Sequence, residues 1–204
     1  MVNLILKDII IQKNTIIIYI ATIILYLLAD VSPIFLGVLY SVVFIMTAFS
    51  TDDKGNANIL LNSLPYTRKE VVSSKYTGAL IFTFVIIFII YLGDFLLNGK
   101  GEVFLWREIL LIIGLVMVTT SFILPISYKF KSKHLVMILG ALVGLYLVTI
   151  TILLPNLHDI LREFVRNFLA LQETQMYFVA ILTTVILYIG SWLLSIRIYE
   201  RKAF

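Results

Sequence analysis

Long apolar runs separated by short polar breaks dominate the chain. A helix needs about 20 largely apolar residues to cross the hydrocarbon of a bilayer, because no unpaired backbone group is tolerated there. Six runs match that need: 15–29, 33–50, 76–97, 104–127, 135–154 and 176–196. The first is short at its polar borders and lengthens if Ile9, Ile10 and Ile11 join it. The pattern predicts an all-α integral membrane protein, residues 1–204 forming one transmembrane domain of six transmembrane helices. Residues 1–13 are long and themselves apolar, and no small-residue cleavage site precedes Ala29-Asp30, so the first helix is expected to be retained rather than cleaved as a signal peptide.

Three segments between or before the runs carry helical patterns of their own. In residues 1–13, Val2, Ile5, Leu6, Ile9 and Ile10 share one helical face with Lys7 and Asp8 opposite, although Leu4, Ile11 and Lys13 break the pattern, and an interfacial N-terminal helix is expected. The loop 51–75 holds Thr67 three residues before Glu70, a capping box, with Tyr66 and Val71 as its hydrophobic staple, so a helix should begin there and run into the third span. Ahead of it, 58–63 makes a short helix that ends at Leu64-Pro65, since the residue before proline disfavours helical geometry. Ile59, Leu60, Leu61 and Leu64 are costly to leave in water, so this helix-turn-helix either lies on headgroups or docks on a cytosolic partner. In 155–175, Leu157, Leu161, Phe164, Phe168 and Leu171 recur at three- and four-residue spacing, which predicts an amphipathic helix over the mouth of the bundle.

Composition agrees with the pattern and removes whole classes of function. Of 204 residues, 61% are hydrophobic and 14% charged, too few charges to cover a water-facing globule. Mean hydropathy is +1.04. The absence of cysteine excludes disulfides, thiolate metal sites and a cysteine nucleophile. A net charge of +4 comes from cations scattered at the borders of apolar runs, which favours membrane borders over nucleic acid. Those cations also orient the chain. Lys7, Lys13, Lys54, Arg68, Lys69, Lys75, Lys129, Lys131, Lys133, Arg197, Arg201 and Lys202 fall on one side, and Lys100, Arg107, Arg162 and Arg166 on the other. Both termini and the 51–75 loop are therefore expected in the cytoplasm, and 155–175 outside.

Candidate chemistry is sparse. The nearest approach to a phosphate loop, Gly93 to Lys100, has five residues between its glycines where four are needed, and Gly101 follows the lysine instead of Ser or Thr. No cofactor is expected in this chain. His134 and His158 lie on opposite sides of the predicted topology, so no metal site or metalloprotease is expected. Asp30 and Asp94 near the outer face are either headgroup-border residues or contacts on an exit path for cationic substrate; for lipid-like or drug-like solutes, the aromatic faces of Phe44, Phe82 and Tyr91 matter more. Gly140 and Gly144 form a GxxxG pair that serves internal packing or a dimer seam.

Three stretches together carry a family likeness: 62–72 (NSLPYTRKEVV), 124–130 (LPISYKF) and 195–204 (SIRIYERKAF). With them, essentially the whole chain resembles small ABC-2 type exporter permeases, and within these the Gram-positive permeases that export amphipathic peptides such as phenol-soluble modulins or confer immunity to antimicrobial peptides. The resemblance implies a second permease chain, identical or related, and a cytosolic ABC ATPase subunit that supplies ATP and Mg. It also implies a coupling helix, with Leu61, Asn62, Ser63, Leu64 and Pro65 shaping a knob and Arg68, Lys69 and Glu70 touching the ATPase rim. Asp30, Asp94 and Tyr91 become substrate-path candidates, and Leu161, Phe164 and Phe168 an outer gate. The implied setting is a bacterial plasma membrane, the cargo an amphipathic peptide, and the chain itself not an enzyme. A stand-alone immunity or scaffold protein that binds peptides without turnover is the competing reading, and an integral membrane enzyme has no motif behind it.

Overall fold

The computed structural model describes residues 2–29, 31–54, 66–98, 106–130 and 173–201. These form six helices and no strand: α1 (Val2–Ile11), α2 (Lys13–Leu28), α3 (Pro33–Lys54), α4 (Arg68–Asn98), α5 (Trp106–Lys129) and α6 (Glu173–Glu200). Four stretches are long and apolar enough to cross a bilayer: Pro33–Asp52, Arg68–Leu96, Trp106–Lys129 and Thr174–Glu200. The first predicted run is realised as α2, which meets α1 at a 66° bend, and the bent pair would make a fifth span. The run 135–154, with Gly140 and Gly144, lies outside the described residues, as do 58–63 and the amphipathic pattern of 155–171.

The α1–α2 bend sits at Gln12, whose backbone is flattened to φ −94°, ψ 7°. Its side chain is held from α3, donating to the Phe44 carbonyl and accepting from the Thr47 hydroxyl. A side chain fixed this way beside the helical ladder is a recognised cause of a kink.

Packing divides into two layers. One joins all helices but α2 around Leu4, Phe49, Val72, Tyr76, Leu124, Tyr128, Tyr188 and Tyr199. The edge-to-face pairs Phe49–Tyr128, Tyr76–Tyr188 and Tyr128–Tyr199 run through it. The other layer joins α2 to α5 around Ile23, Leu36, Phe44, Ile86, Ile90, Ile112 and Val116. Gly37 permits the α3–α5 approach there, because a Cβ at that position would lie 3.0 Å from the Ile112 side chain. α6 contributes nothing to this second layer: none of its side chains from Thr174 to Leu187 is buried. Elsewhere the surface is what a bilayer requires, with Ile17, Phe84, Phe88, Phe122, Phe178 and Ile186 all largely exposed.

α1 turns Leu4 and Asp8 inward, both buried, and Val2, Leu6 and Ile10 outward. Its outward apolar face suits lipid, while Asp8 is kept inside by its cationic partners Lys7 and Lys75.

Candidate functional site

The polar centre of the molecule is where α1, the end of α3 and the start of α4 meet. Four charged side chains close a ring there. Lys75 Nζ lies 2.8 Å from Asp8 and 2.6 Å from Asp52, and Lys7 Nζ lies 2.7 Å from Asp52 and 3.2 Å from Asp8. Asp8, Asp52 and Lys75 are buried, and the ring is neutral, two cations against two anions, which is the condition under which charges persist away from water. The Lys75 ammonium also faces the Phe49 ring at 5.4 Å. For Lys7, on α1 ahead of the four spans, burial acts to lower the pKa, but hydrogen bonding to Asp52 and the charges of both aspartates outweigh it and hold the pKa above the usual lysine value.

The ring's position follows from the sequence. Asp52 ends the span that enters the 51–75 loop, and Lys75, two turns into α4, closes that loop. α1 brings Lys7 and Asp8 between these stems. The loop's exit is fixed further by its cap: the Thr67 N–H and hydroxyl donate to Glu70 at 2.8 and 2.9 Å, and the Glu70 N–H donates back to the Thr67 hydroxyl at 3.2 Å. Tyr66 packs on the cluster that holds Val71, as the staple requires. Arg68, one residue on, donates to the carbonyls of Tyr199 and Glu200 at 3.2 and 2.6 Å, capping the end of α6.

A second network lies between α4, α5 and α6. Pro125 has no N–H, so the Ser121 carbonyl one turn earlier lacks its helical donor. The Ser191 hydroxyl donates to that carbonyl at 2.6 Å. With its one proton committed, Ser191 accepts from the Tyr76 hydroxyl at 2.7 Å, and Ser195 donates to Tyr76 at 2.8 Å. Tyr188 donates to the Tyr76 carbonyl, and the Trp192 indole to Ser73.

Among the residues singled out from sequence, Arg68, Lys69 and Glu70 form the first turn of α4, with Lys69 over the Trp192 ring at 5.7 Å. Leu61, Asn62, Ser63, Leu64 and Pro65 lie outside the described residues, as do Asp30, Leu161, Phe164 and Phe168. Tyr91 and Asp94 sit one turn apart near the far end of α4. The rings of Phe44 and Phe82 stack on each other, buried, with centroids 3.6 Å apart. The ionic ring was missed. Its sequence signal was an acidic residue inside each of two apolar helices, balanced by a lysine two turns into a third. No group of metal-binding side chains occurs among the described residues.

A bundle of long apolar helices with a polar hub at one end defines a multi-pass α-helical membrane protein. The chain belongs to the ABC-2 family transporter proteins, whose family model matches residues 3–200. That family supplies membrane subunits that work with an ABC ATPase subunit. No curated protein and no solved structure matches the chain.

Proposed function

We propose that this chain is the permease subunit of an ATP-driven exporter that moves amphipathic or cytolytic peptides, or similarly hydrophobic solutes, out of the cytoplasm or inner leaflet by alternating access. The family match over 3–200 carries the reading. The ionic ring supports it mechanically: it ties both stems of the 51–75 loop to α1, so a push on the loop moves the end of α3, the start of α4 and α1 as one body. Arg68 extends that body to the end of α6.

In this proposal the chain spans a bacterial plasma membrane six times with both termini in the cytoplasm, and pairs with a second permease chain. The segment 59–72 seats on the cytosolic ATPase, which holds ATP and Mg. Leu161, Phe164 and Phe168 gate the outer side, and Asp30, Tyr91 and Asp94 lie along the exit.

The test is coexpression with the ABC ATPase encoded beside this gene, in lipid, comparing wild type with Leu64→Asp. Copurification with peptide-stimulated ATP hydrolysis that Leu64→Asp abolishes is the expected result. A folded chain that never copurifies with the ATPase, yet still binds peptide, would replace this reading with a stand-alone immunity or scaffold protein.

A further inference from the structure

A cavity of about 450 Å³ opens between the N-terminal halves of α5 and α6. Its walls are apolar along their length, Leu111, Leu115, Ile181 and Val185 among them, and Arg107 and Glu108 stand at one end. Trp106 and Tyr177 pair at that same end, ring centroids 5.7 Å apart, in the manner of an interfacial aromatic belt. Gly114 lies midway, and a Cβ built there would meet nothing within 4 Å. Without a side chain, Gly114 adds no bulk to the groove wall.

We infer that this groove holds one acyl chain of an outer-leaflet phospholipid, with its headgroup between Arg107 and Glu108. Length selects the occupant. From Arg107 to Val118 the groove wall rises about 16 Å at 1.5 Å per residue, close to the ~15 Å that one leaflet contributes to the hydrocarbon core. Charge is complementary at the rim: the guanidinium faces the lipid phosphate and the carboxylate the ammonium of a zwitterionic head. The assignment of the leaflet rests on the orientation proposed above, whereas the occupant does not.

Native mass spectrometry of the purified chain alone, delipidated and then given dioleoyl phosphatidylethanolamine, tests this without the ATPase. Wild type should retain one phospholipid through detergent activation, Gly114→Leu should lose it, and Arg107→Gln should weaken it severalfold. Gly190→Leu is the control, because a Cβ there also meets open space but lies outside the groove. Equal retention by wild type and Gly114→Leu would overturn the inference. So would a dimer mass that Gly114→Leu abolishes, which would make the groove a seam between copies. The chain has no cysteine, so a membrane-impermeant maleimide on Gln175→Cys, exposed at the polar start of α6, reads the leaflet separately. Labelling from the cytoplasmic side alone would overturn the outer-leaflet assignment.

Discussion

Replacing Lys75 with Met is the sharpest perturbation of the ionic ring. Its side chain is 7% exposed and contacts both aspartates at under 3 Å, whereas Lys7 is 27% exposed and makes one close contact and one at 3.2 Å. Two unit charges 4 Å apart interact by about 4 kcal/mol at an effective dielectric of 20, and desolvation offsets much of that. What remains in Lys75→Met is two buried carboxylates facing one lysine, an uncompensated charge whose cost is about 3–5 kcal/mol. Lys7→Met removes a cation already partly solvated at 27% exposure, whose place water can partly take, and should cost about 1–2 kcal/mol. The discriminating variant is the pair Asp8→Leu with Lys75→Met, which keeps the Lys7–Asp52 contact of 2.7 Å and restores neutrality. It should cost less than half of Lys75→Met alone, because buried ion pairs are replaceable by apolar side chains while half-pairs are not. Reversible unfolding in mixed micelles titrated with a denaturing detergent gives the free energies and the coupling term. Additive costs, or a Lys75→Met penalty no larger than that of Lys7→Met, would refute the claim that the four charges act as one unit.

Three further outcomes follow from local geometry. Ser191→Ala should cost about 1–3 kcal/mol by leaving the Ser121 carbonyl without a donor, but far less in a Pro125→Ala background, where residue 125 regains an N–H; unfolding cycles that come out additive would break that link. Thr67→Ala should destabilise the start of α4 by about 1 kcal/mol, seen as faster amide exchange in its first turn, with exchange unchanged if the cap is dispensable. Gly37→Leu should cost about 1–3 kcal/mol by forcing apart α3 and α5, whereas Gly93→Ala meets only the mobile tip of Leu27 at 2.8 Å and should shift the unfolding midpoint much less.

Helix placement was legible because a bilayer leaves one solution for long apolar segments. The runs 33–50, 76–97, 104–127 and 176–196 all reappear as helices, and the first, second and fourth of these are extended beyond their apolar cores by polar residues such as Arg68 to Lys75. The Thr67–Glu70 cap was legible for a similar reason, since its partners are three residues apart and need no tertiary context. The ionic ring was not, because Asp8, Asp52 and Lys75 come from three helices and periodicity treats any charge as a surface marker. Likewise Ser191 looked like a small polar residue in an apolar run, and its role depends on a proline 66 positions away in sequence. The Phe44–Phe82 stack was not legible either, because aromatic side chains in a span serve packing and ligand contact equally well and only the tertiary arrangement brings these two rings together.

Among the described residues, the contacts that hold α6 differ between its two ends. At the end carrying the 51–75 loop, ion pairs and hydrogen bonds cross between helices at Lys75, Arg68, Tyr76 and Ser191. In a low-dielectric medium such contacts are costly to leave unmade, so they break together or not at all. At the other end none of the α6 side chains from Thr174 to Leu187 is buried among the described residues, and α6 meets α5 there through the Tyr177–Trp106 ring pair. Displacing it there exchanges one apolar neighbour for another at little cost. Under the proposed function, a force applied at the loop would move its end of the bundle as a unit, and the strain would be relieved along the α5–α6 groove beside Gly114.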